Sequence, residues 1–377
     1  MLDPLDAAFP KTLAALHAGV TDAVFPGATA GVWLRGRTAP FWSGHAGVRR
    51  QVPSSLPLSR DTPFDLSSVT KIVATTALTA TLVERGWIDW DDSVRRFFPG
   101  YPHARIRLRH LLSHTAGFVW WEPYFEQIRA RFPGVDLARV SVADRQAVMR
   151  EIILQVKPEA DVETKAVYSD VSMLLLGFVL EEAVSAPFDV AVRDFVWRPM
   201  GLGFEFRRVE RDVRAGTDER YAATENCPWR GGVLQGQVHD DNCWAMGGYG
   251  GHSGAFGTVS DVLHFAERVS TGFYLPSTVR RMWRRVSSPA GCERALGWDT
   301  PSAAGSSVGQ YFSPATVGHL GFTGTSLWID PAAGVAVALL SNRVHPSREN
   351  IQIKAFRPRF HDAIREDLHE NFGIMLG

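Results

Sequence analysis

The chain has 377 residues, of which 45% are hydrophobic, and this is enough for two domains or one large unit with a packed core. Lysine plus arginine and aspartate plus glutamate both number 40, so no net charge draws the chain to nucleic acid or an anionic membrane. We therefore expect a small-molecule or short-peptide partner and no nucleic acid. The three cysteines lack CxxC spacing, which argues against a disulfide framework or a zinc site and predicts buried apolar fillers.

The N-terminus and the apolar segments bear on targeting. The first twenty residues lack a basic segment followed by an apolar core, so they do not resemble a signal peptide. The longest apolar stretch, Val171 to Leu180, is much shorter than a membrane span and is followed by Glu181 and Glu182. We expect no membrane span and a cytoplasmic location, or a periplasmic one where a leader has been removed.

The predicted elements change type twice along the chain. Periodicity, caps and turn residues predict a helix at 11–22, strands at 28–34 and 41–48, helices at 68–85, 107–114, 141–155, 170–184, 188–198, 260–270 and 276–286, strands at 319–329 and 335–341, and a helix at 354–368. Strands at both ends around a helical middle predict an α+β fold. In this fold, 1–66 and 201–377 form an antiparallel sheet flanked by helices, and 67–200 form an inserted all-helical domain.

The segment Asp65 to Lys71, DLSSVTK, begins the predicted helix at 68–85, with Ser67 as its expected N-cap. Ser68 and Lys71 are three residues apart and share one helical face, where an adjacent lysine can activate a serine hydroxyl. The free N–H groups and dipole of a helix N-terminus suit a developing oxyanion. SxxK alone is a weak pattern that also describes a solvated lysine. Of the five lysines, however, only Lys71 has a serine three residues earlier.

Two further motifs follow in order. Tyr168-Ser169-Asp170 precedes the helix at 170–184; read in isolation, Tyr168 is a tyrosine at the edge of the core and Asp170 a helix cap. The third motif, GHLGFTGT at 318–325, begins a predicted strand, where its glycines also suit a close-packed or bulged strand.

These three motifs together resemble the ordered set of the serine penicillin-recognising hydrolases: SxxK, then Tyr-x-Asn or Tyr-x-Asp, then Lys-Thr-Gly or His-x-Gly. The chain is most similar to the class C branch, which contains β-lactamases, DD-peptidases, D-aminopeptidases and β-lactamase-type carboxylesterases. The resemblance extends through LRHLLSHTAGF at 108–118, GGYGGHSGAFGTVSDVLHFA at 247–266, ALGWDTP at 295–301 and GFTGTSLWIDP at 321–331. It covers most of the chain, from about residue 64 to 342, and implies an active site between the two domains.

The resemblance also implies a role for each matching residue. Ser68 would be the acylated nucleophile, Lys71 its base or relay, and Tyr168 the group that carries the proton to the leaving group. The backbone N–H groups of Ser68 and Phe322 would form the oxyanion hole, and His319 takes the place of the third-motif lysine. Further candidates for the oxyanion hole and the substrate site are Gly321, Asp170, Trp120, His252 and Arg343.

Two positions depart from the β-lactamase pattern. His319 is largely neutral above its reference pKa near 6.5, so it should hold a substrate carboxylate less well than lysine. Asp170 stands where typical β-lactamases have asparagine, and an ionised carboxylate cannot donate a hydrogen bond to an acylamide. Its charge should keep Lys71 protonated and move the base role to Tyr168, and it should attract a substrate ammonium. Both changes argue against strong β-lactamase activity.

The remaining features have simpler interpretations. His110 and His114 have metal-compatible spacing but no third ligand, which favours packing and predicts no metal. The glycines at 247–257 lack a phosphate-loop ending, so we expect this segment to pass close to the active site, with His252 and Ser253 at the rim. Trp120 belongs to an aromatic cluster that is either core or the lip of an apolar pocket.

The sequence thus predicts a cofactor-independent serine acyl hydrolase that works through an acyl-enzyme. Its substrate would be an ester or a short D-amino-acid peptide or amide, including a peptidoglycan-derived one, and weak β-lactamase activity is compatible with the site. Carboxylesterase and D-peptidase are nearly equal alternatives. The competing hypothesis is a catalytically silent member of the fold that serves as a binding or structural protein, but the intact Ser68, Lys71 and Tyr168 argue against it.

Overall fold

The computed structural model describes residues 5–210 and 218–375. The strands within them are, in chain order, β1 (Gly27–Leu34), β2 (Trp42–Arg50), β3 (Leu56–Pro57), β4 (Phe64–Asp65), β5 (Glu205–Phe206), β6 (Ala223–Cys227), β7 (Gly232–Gln235), β8 (Ala255–Gly257), β9 (Val317–Leu320), β10 (Ser326–Asp330) and β11 (Val335–Ser341). Six of them form an antiparallel sheet in the order β3-β2-β1-β11-β10-β9, so the early strands pair with the late ones. A three-stranded sheet, β4-β8-β5, and the hairpin β6-β7 complete the strands of the described residues.

The helices surround this sheet and fill the middle of the chain. In chain order they are α1 (Pro10–Thr21), α2 (Ala77–Glu84), α3 (Leu108–Leu112), α4 (Tyr124–Arg131), α5 (Val142–Gln155), α6 (Asp170–Val184), α7 (Phe188–Val192), α8 (Arg198–Met200), α9 (Asp241–Ala245), α10 (Val259–Ser270), α11 (Pro276–Trp283) and α12 (Ile353–Phe372). A 3₁₀ turn, Ser67–Val69, and a π-helical turn, Lys71–Thr76, lead into α2.

The large sheet is buried on both faces, because alternate residues of its central strands belong to different cores. In β1, Ala30 and Val32 pack in the core that contains Leu16 of α1 and Phe360 of α12. Trp33 of the same strand belongs to the other core, which includes α10. The sheet therefore lies between the pair α1 and α12 on one side and α10 on the other.

Helix α6 is the centre of the helical part. Its residues from Val171 to Glu181 are all buried, which explains why this stretch is apolar all round rather than amphipathic. Ser169 is its N-cap, since the Ser169 hydroxyl accepts the Ser172 N–H at 3.2 Å. The interpretation of Asp170 as the cap is thus wrong. This start point fixes Tyr168 and Asp170 at the end of α6 that faces the active site.

The predicted helices at 11–22, 141–155, 170–184 and 260–270 and the strand at 335–341 lie within one residue of observed elements. The single strand predicted at 319–329 is wrong: β9 and β10 are separated by a turn in which the Gly321 N–H donates to the Thr325 carbonyl at 2.8 Å. The helix predicted at 276–286 ends at Trp283. The domain limits 1–66, 67–200 and 201–377 stay a prediction.

The predictions of the fold class and of buried, unpaired cysteines are confirmed. The antiparallel sheets and the helices together form the predicted α+β fold. Cys227, Cys243 and Cys292 are buried and unpaired. In the described part of the chain, no single helix has the length and apolar composition to cross a membrane, although the bent pair Asp170–Val184 and Phe188–Met200 meets the length and composition test.

Candidate active site

Lys71 is fully buried and lies at the centre of the candidate site. Its Nζ donates to the Ser68 Oγ at 2.8 Å and to the His252 carbonyl at 2.9 Å, and it forms an ion pair with the Asp170 carboxylate at 2.7 Å. The Lys71 ammonium is also hydrogen-bonded to the Tyr168 side chain. An ammonium has three N–H donors, so four oxygen neighbours leave no donor free. Ser68 itself is partly exposed and can meet a substrate.

The charge state of Lys71 follows from these neighbours. Burial by itself lowers the pKa of Lys71, but the negative charges of Asp170 and Tyr168 outweigh burial and raise its pKa above 10.5. Lys71 is therefore an ammonium at neutral pH, as the aspartate in the second motif predicts. The same ion pair compensates the Asp170 charge in part, and the expected attraction of a substrate ammonium stays a prediction.

Tyr168 connects this cation to the nucleophile. Its side chain is hydrogen-bonded to both Lys71 and Ser68, and it is only half-buried. Burial raises the pKa of Tyr168, and the Lys71 charge offsets part of that rise, so the pKa lies above 10. Ser68, Lys71 and Tyr168 thus form one hydrogen-bonded unit whose proton count changes at alkaline pH.

His319 is buried beside Tyr168, with the two ring centroids 5.9 Å apart. Its Nδ1 lies 2.8 Å from the Leu320 carbonyl, which only accepts, so Nδ1 carries the proton and Nε2 is the acceptor. Burial and the nearby Lys71 charge keep the pKa of His319 well below 6.5. The imidazole is neutral, and it does not replace the cation that a lysine would supply here.

The turn between β9 and β10 carries the second expected oxyanion donor. The Phe322 N–H donates to the Ser67 Oγ at 3.1 Å, which brings this turn against the residue before the nucleophile. Ser67 has φ +49° and is not the predicted N-cap, because its N–H donates to Asp65 at 2.8 Å while its hydroxyl accepts from Phe322. Gly321 has no room for a side chain, since a Cβ would lie 2.6 Å from the Leu66 carbonyl. The close packing holds the Phe322 N–H against Ser67, the residue before the expected nucleophile.

Two large aromatic side chains remain exposed at this site: Trp120 is 62% and Phe322 is 48% accessible. Each is attached to the catalytic unit through its backbone. The Trp120 carbonyl accepts the Asp170 N–H at 2.9 Å, and the Phe322 N–H is the contact to Ser67. The two exposed rings are therefore carried by segments bonded to Asp170 and to Ser67, and each presents apolar surface to solvent.

The family is shown by a sequence comparison. A family model described as Beta-lactamase matches residues 12–357. The chain belongs to the beta-lactamase family. It is therefore a member of a family of serine hydrolases with the β-lactamase and penicillin-binding-protein fold, as the three motifs indicate.

Curated relatives and solved structures agree with this assignment. Proteins of Salmonella gallinarum and Salmonella typhimurium, provisionally named D-alanyl-D-alanine carboxypeptidases, are 30% identical over 324 residues, which are 78% of this chain and 72% of theirs. The structure of EstCE1, a hydrolase with promiscuous acyltransferase activity, has a TM-score of 0.72 at 21% identity and covers 96% of this chain and 100% of its own. Simvastatin synthase (LovD) from Aspergillus terreus has a TM-score of 0.71 at 18% identity and covers 99% and 100%. These structural likenesses show the fold.

Two predicted residues of this beta-lactamase-family site, Arg343 and His252, have buried side chains that are bonded to other protein groups. The Arg343 guanidinium is buried, donates to the carbonyls of Phe322, Arg348 and Asn350, and stacks on the Phe322 ring at 4.3 Å. His252 and Ser253 are also buried, so their expected place at the rim is wrong. His252 contributes its carbonyl to Lys71, while its ring contacts Asp240 at 2.9 Å.

Sequence reasoning missed three contributors to the site. Asp65 accepts the Ser67 N–H and the His239 N–H, and it holds the segment before Ser68. Arg294 lies over the Tyr168 ring, with its Cζ 5.3 Å from the centroid. His114, considered above for metal binding, packs on the same ring at 4.8 Å and accepts the Ser169 N–H. Across the described residues, no group of three or more histidine, cysteine, aspartate or glutamate side chains is arranged to hold a metal ion.

Proposed function

We propose that this protein is a carboxylic ester hydrolase that works through an acyl-Ser68 intermediate, with Tyr168 as the proton acceptor. The observation that carries the proposal is the buried Lys71 ammonium, which is ion-paired to Asp170 and hydrogen-bonded to Ser68 and Tyr168. An ammonium without a free lone pair cannot accept the serine proton. Tyr168 is the other titratable group that is hydrogen-bonded to Ser68.

The reaction follows from this arrangement. In the state with one proton removed from the Lys71 and Tyr168 pair, the Tyr168 oxygen takes the Ser68 proton as Oγ attacks the ester carbon. The N–H groups of Ser68 and Phe322 receive the developing oxyanion, and the Phe322 N–H exchanges its bond to the Ser67 Oγ for this one. Tyr168 then passes its proton to the leaving alkoxide, which departs as the alcohol. Water repeats the sequence on the acyl group and releases the acid.

The preference for an ester rests on charge and surface. A carboxypeptidase must hold the free carboxylate of its substrate. The third-motif residue, His319, is neutral, and the Arg343 guanidinium already donates its hydrogen bonds to backbone carbonyls. Trp120 and Phe322 instead present exposed aromatic surface on segments whose backbones are bonded to Asp170 and Ser67. These features favour a neutral ester with an apolar acyl group. The names of the Salmonella relatives support D-alanyl carboxypeptidase activity as the second candidate.

The two candidates differ in a direct measurement. We expect kcat/KM for nitrophenyl butyrate to exceed that for an N-acyl D-alanyl-D-alanine peptide by at least about tenfold, because a missing charge-assisted hydrogen bond costs about 1.5–3 kcal/mol. Intact mass should show the acyl group on the peptide that contains Ser68, and Ser68→Ala should abolish it. A higher kcat/KM for the D-alanyl peptide would replace the first candidate by the second. Acylation of another serine would contradict both.

A further inference from the structure

Arg294 approaches Tyr168 from a part of the chain that carries none of the three motifs. It lies between α11 and β9 and is joined by backbone contacts to Val286 and Asp299. Its guanidinium carbon is 5.3 Å from the Tyr168 ring centroid, within the range of a cation–π contact. The side chain is 26% accessible and forms an ion pair with Asp299.

Within the described residues, four other charged or titratable groups face Tyr168, and they determine whether Arg294 is a separate source of positive charge. Lys71 is ion-paired with Asp170, and Arg294 is ion-paired with Asp299, so each of the two cations has its own carboxylate partner. The pKa values of His114 and His319 are both held well below 6.5, first by burial and then by nearby cations, so both rings are neutral. Arg294 is thus the cation near the ring that does not belong to the Lys71 and Asp170 pair.

We propose that Arg294 is a positioning residue that stabilises the phenolate of Tyr168 and thereby supplies the positive charge that His319 does not. The inference rests on the proposed function, because it requires Tyr168 to accept the Ser68 proton. A cation over an aromatic face attracts the neutral ring weakly and the phenolate strongly, since the phenolate charge extends into the ring. The same attraction acts on the guanidinium: burial lowers the pKa of Arg294, and the charge of Tyr168 acts in the opposite direction and raises it. Arginine remains charged over the pH range in which Tyr168 titrates.

The test is the pH dependence of Ser68 reactivity, which needs no knowledge of the natural substrate. The second-order rate of labelling by a fluorophosphonate is measured from pH 6 to 11. Arg294→Gln should move the rise in rate to higher pH by about one unit, as expected for loss of an opposite charge within about 4–6 Å. Arg294→Lys should restore most of the shift. Asp299→Asn should move the rise to lower pH, because it removes the carboxylate that compensates Arg294.

Arg150→Gln is the matched control. Arg150 also stacks on an aromatic ring, with its Cζ 5.4 Å from the Phe178 centroid, and it is paired with Glu181 and Glu182. It should leave the pH profile unchanged. Thermal unfolding checks that each variant is folded, and Arg294→Lys keeps the test valid where Arg294→Gln does not fold.

The outcomes separate this inference from the proposed function. An unmoved profile in folded Arg294→Gln, together with a large loss of labelling in Tyr168→Phe, would overturn the inference and leave the function standing. Full labelling in Tyr168→Phe would remove Tyr168 as the proton acceptor and overturn both. A raised KM for anionic esters with an unmoved profile would make Arg294 a substrate-carboxylate site, which also overturns the inference.

Discussion

At the scale of single residues, the proposed mechanism makes the pH range of activity depend on the aspartate of the second motif. The Asp170 carboxylate lies 2.7 Å from the Lys71 ammonium, and its charge raises the pKa of both Lys71 and Tyr168. A reactive state needs one proton removed from that pair. On the proposed mechanism, we therefore expect the residue at position 170 to set the pH range of activity without contacting the nucleophile.

Replacing Asp170 by asparagine should therefore extend activity to lower pH. The substitution keeps the side-chain volume but removes the negative charge, so the pKa values of Lys71 and Tyr168 should both fall. The rise in kcat/KM for a neutral nitrophenyl ester should move down by about one unit or more, opposite in sign to the effect of Arg294→Gln. A pH profile of kcat/KM for the two proteins measures the shift. A profile that moves to higher pH would show that Asp170 acts on the proton acceptor in some other way than by its charge.

At the scale of elements, packing contacts fix the turn between β9 and β10, which carries the proposed oxyanion donor of Phe322. Gly321 donates its N–H to Thr325, and the Thr323 and Thr325 hydroxyls donate to the carbonyls of Asp65 and Leu66 at 2.8 and 2.9 Å. These contacts attach the turn to the segment before Ser68. The Phe322 N–H is thus held by several contacts from another part of the chain.

Gly321→Ala should strongly reduce kcat, because it displaces the turn that carries the Phe322 N–H. The new Cβ would clash with the Thr325 Oγ1 and lie 2.6 Å from the Leu66 carbonyl, so the turn must move away from Ser68. Loss of one oxyanion donor typically costs about 10²–10³ in kcat. Gly100→Ala is the control, because Gly100 is exposed and a Cβ added there would meet no other atom within 4 Å. Equal kcat values for the two variants, measured on a nitrophenyl ester, would argue against a catalytic role for this turn.

How far the sequence could predict these features depends on whether the cause is local. Helices α5, α6 and α10 were predictable because their caps and apolar residues lie within their own segments. The prediction of Ser67 as an N-cap is wrong because contacts with Asp65 and Phe322, and not local preference, set its backbone. Arg294 carries no local signal, since it lies far along the chain from Tyr168 in a sequence rich in arginine.

At the scale of the whole molecule, the N-terminal and C-terminal segments of the chain pack against each other. The first strand, β1, pairs with the last, β11, and α1 packs on α12. Helix α1 begins at Pro10 without a side-chain cap from its own N-cap residue. Its first free N–H groups, those of Lys11 and Thr12, donate instead to the Asp367 carboxylate of α12, at 3.2 and 2.8 Å. A residue near the C-terminus thus caps the first long helix.

Asp367→Ala should therefore destabilise the protein without changing its chemistry. Asp367 is fully buried and also accepts the Thr12 hydroxyl at 2.7 Å, so its loss leaves buried donors without a partner. We expect the free energy of unfolding to fall by about 3 kcal/mol, because hydrogen bonds to charged groups contribute about 1.5–3 kcal/mol each and are not additive. Glu370→Ala is the matched control: Glu370 contacts Lys11 through an exposed ion pair, whose loss should cost only a small part of that, because water screens the two charges. Urea unfolding measures both losses, and kcat well below the transition should equal that of the parent protein. Similar losses for the two variants would mean that the buried cap contributes no more than a surface ion pair, and a reduced kcat in folded Asp367→Ala would connect the terminal helices to the active site.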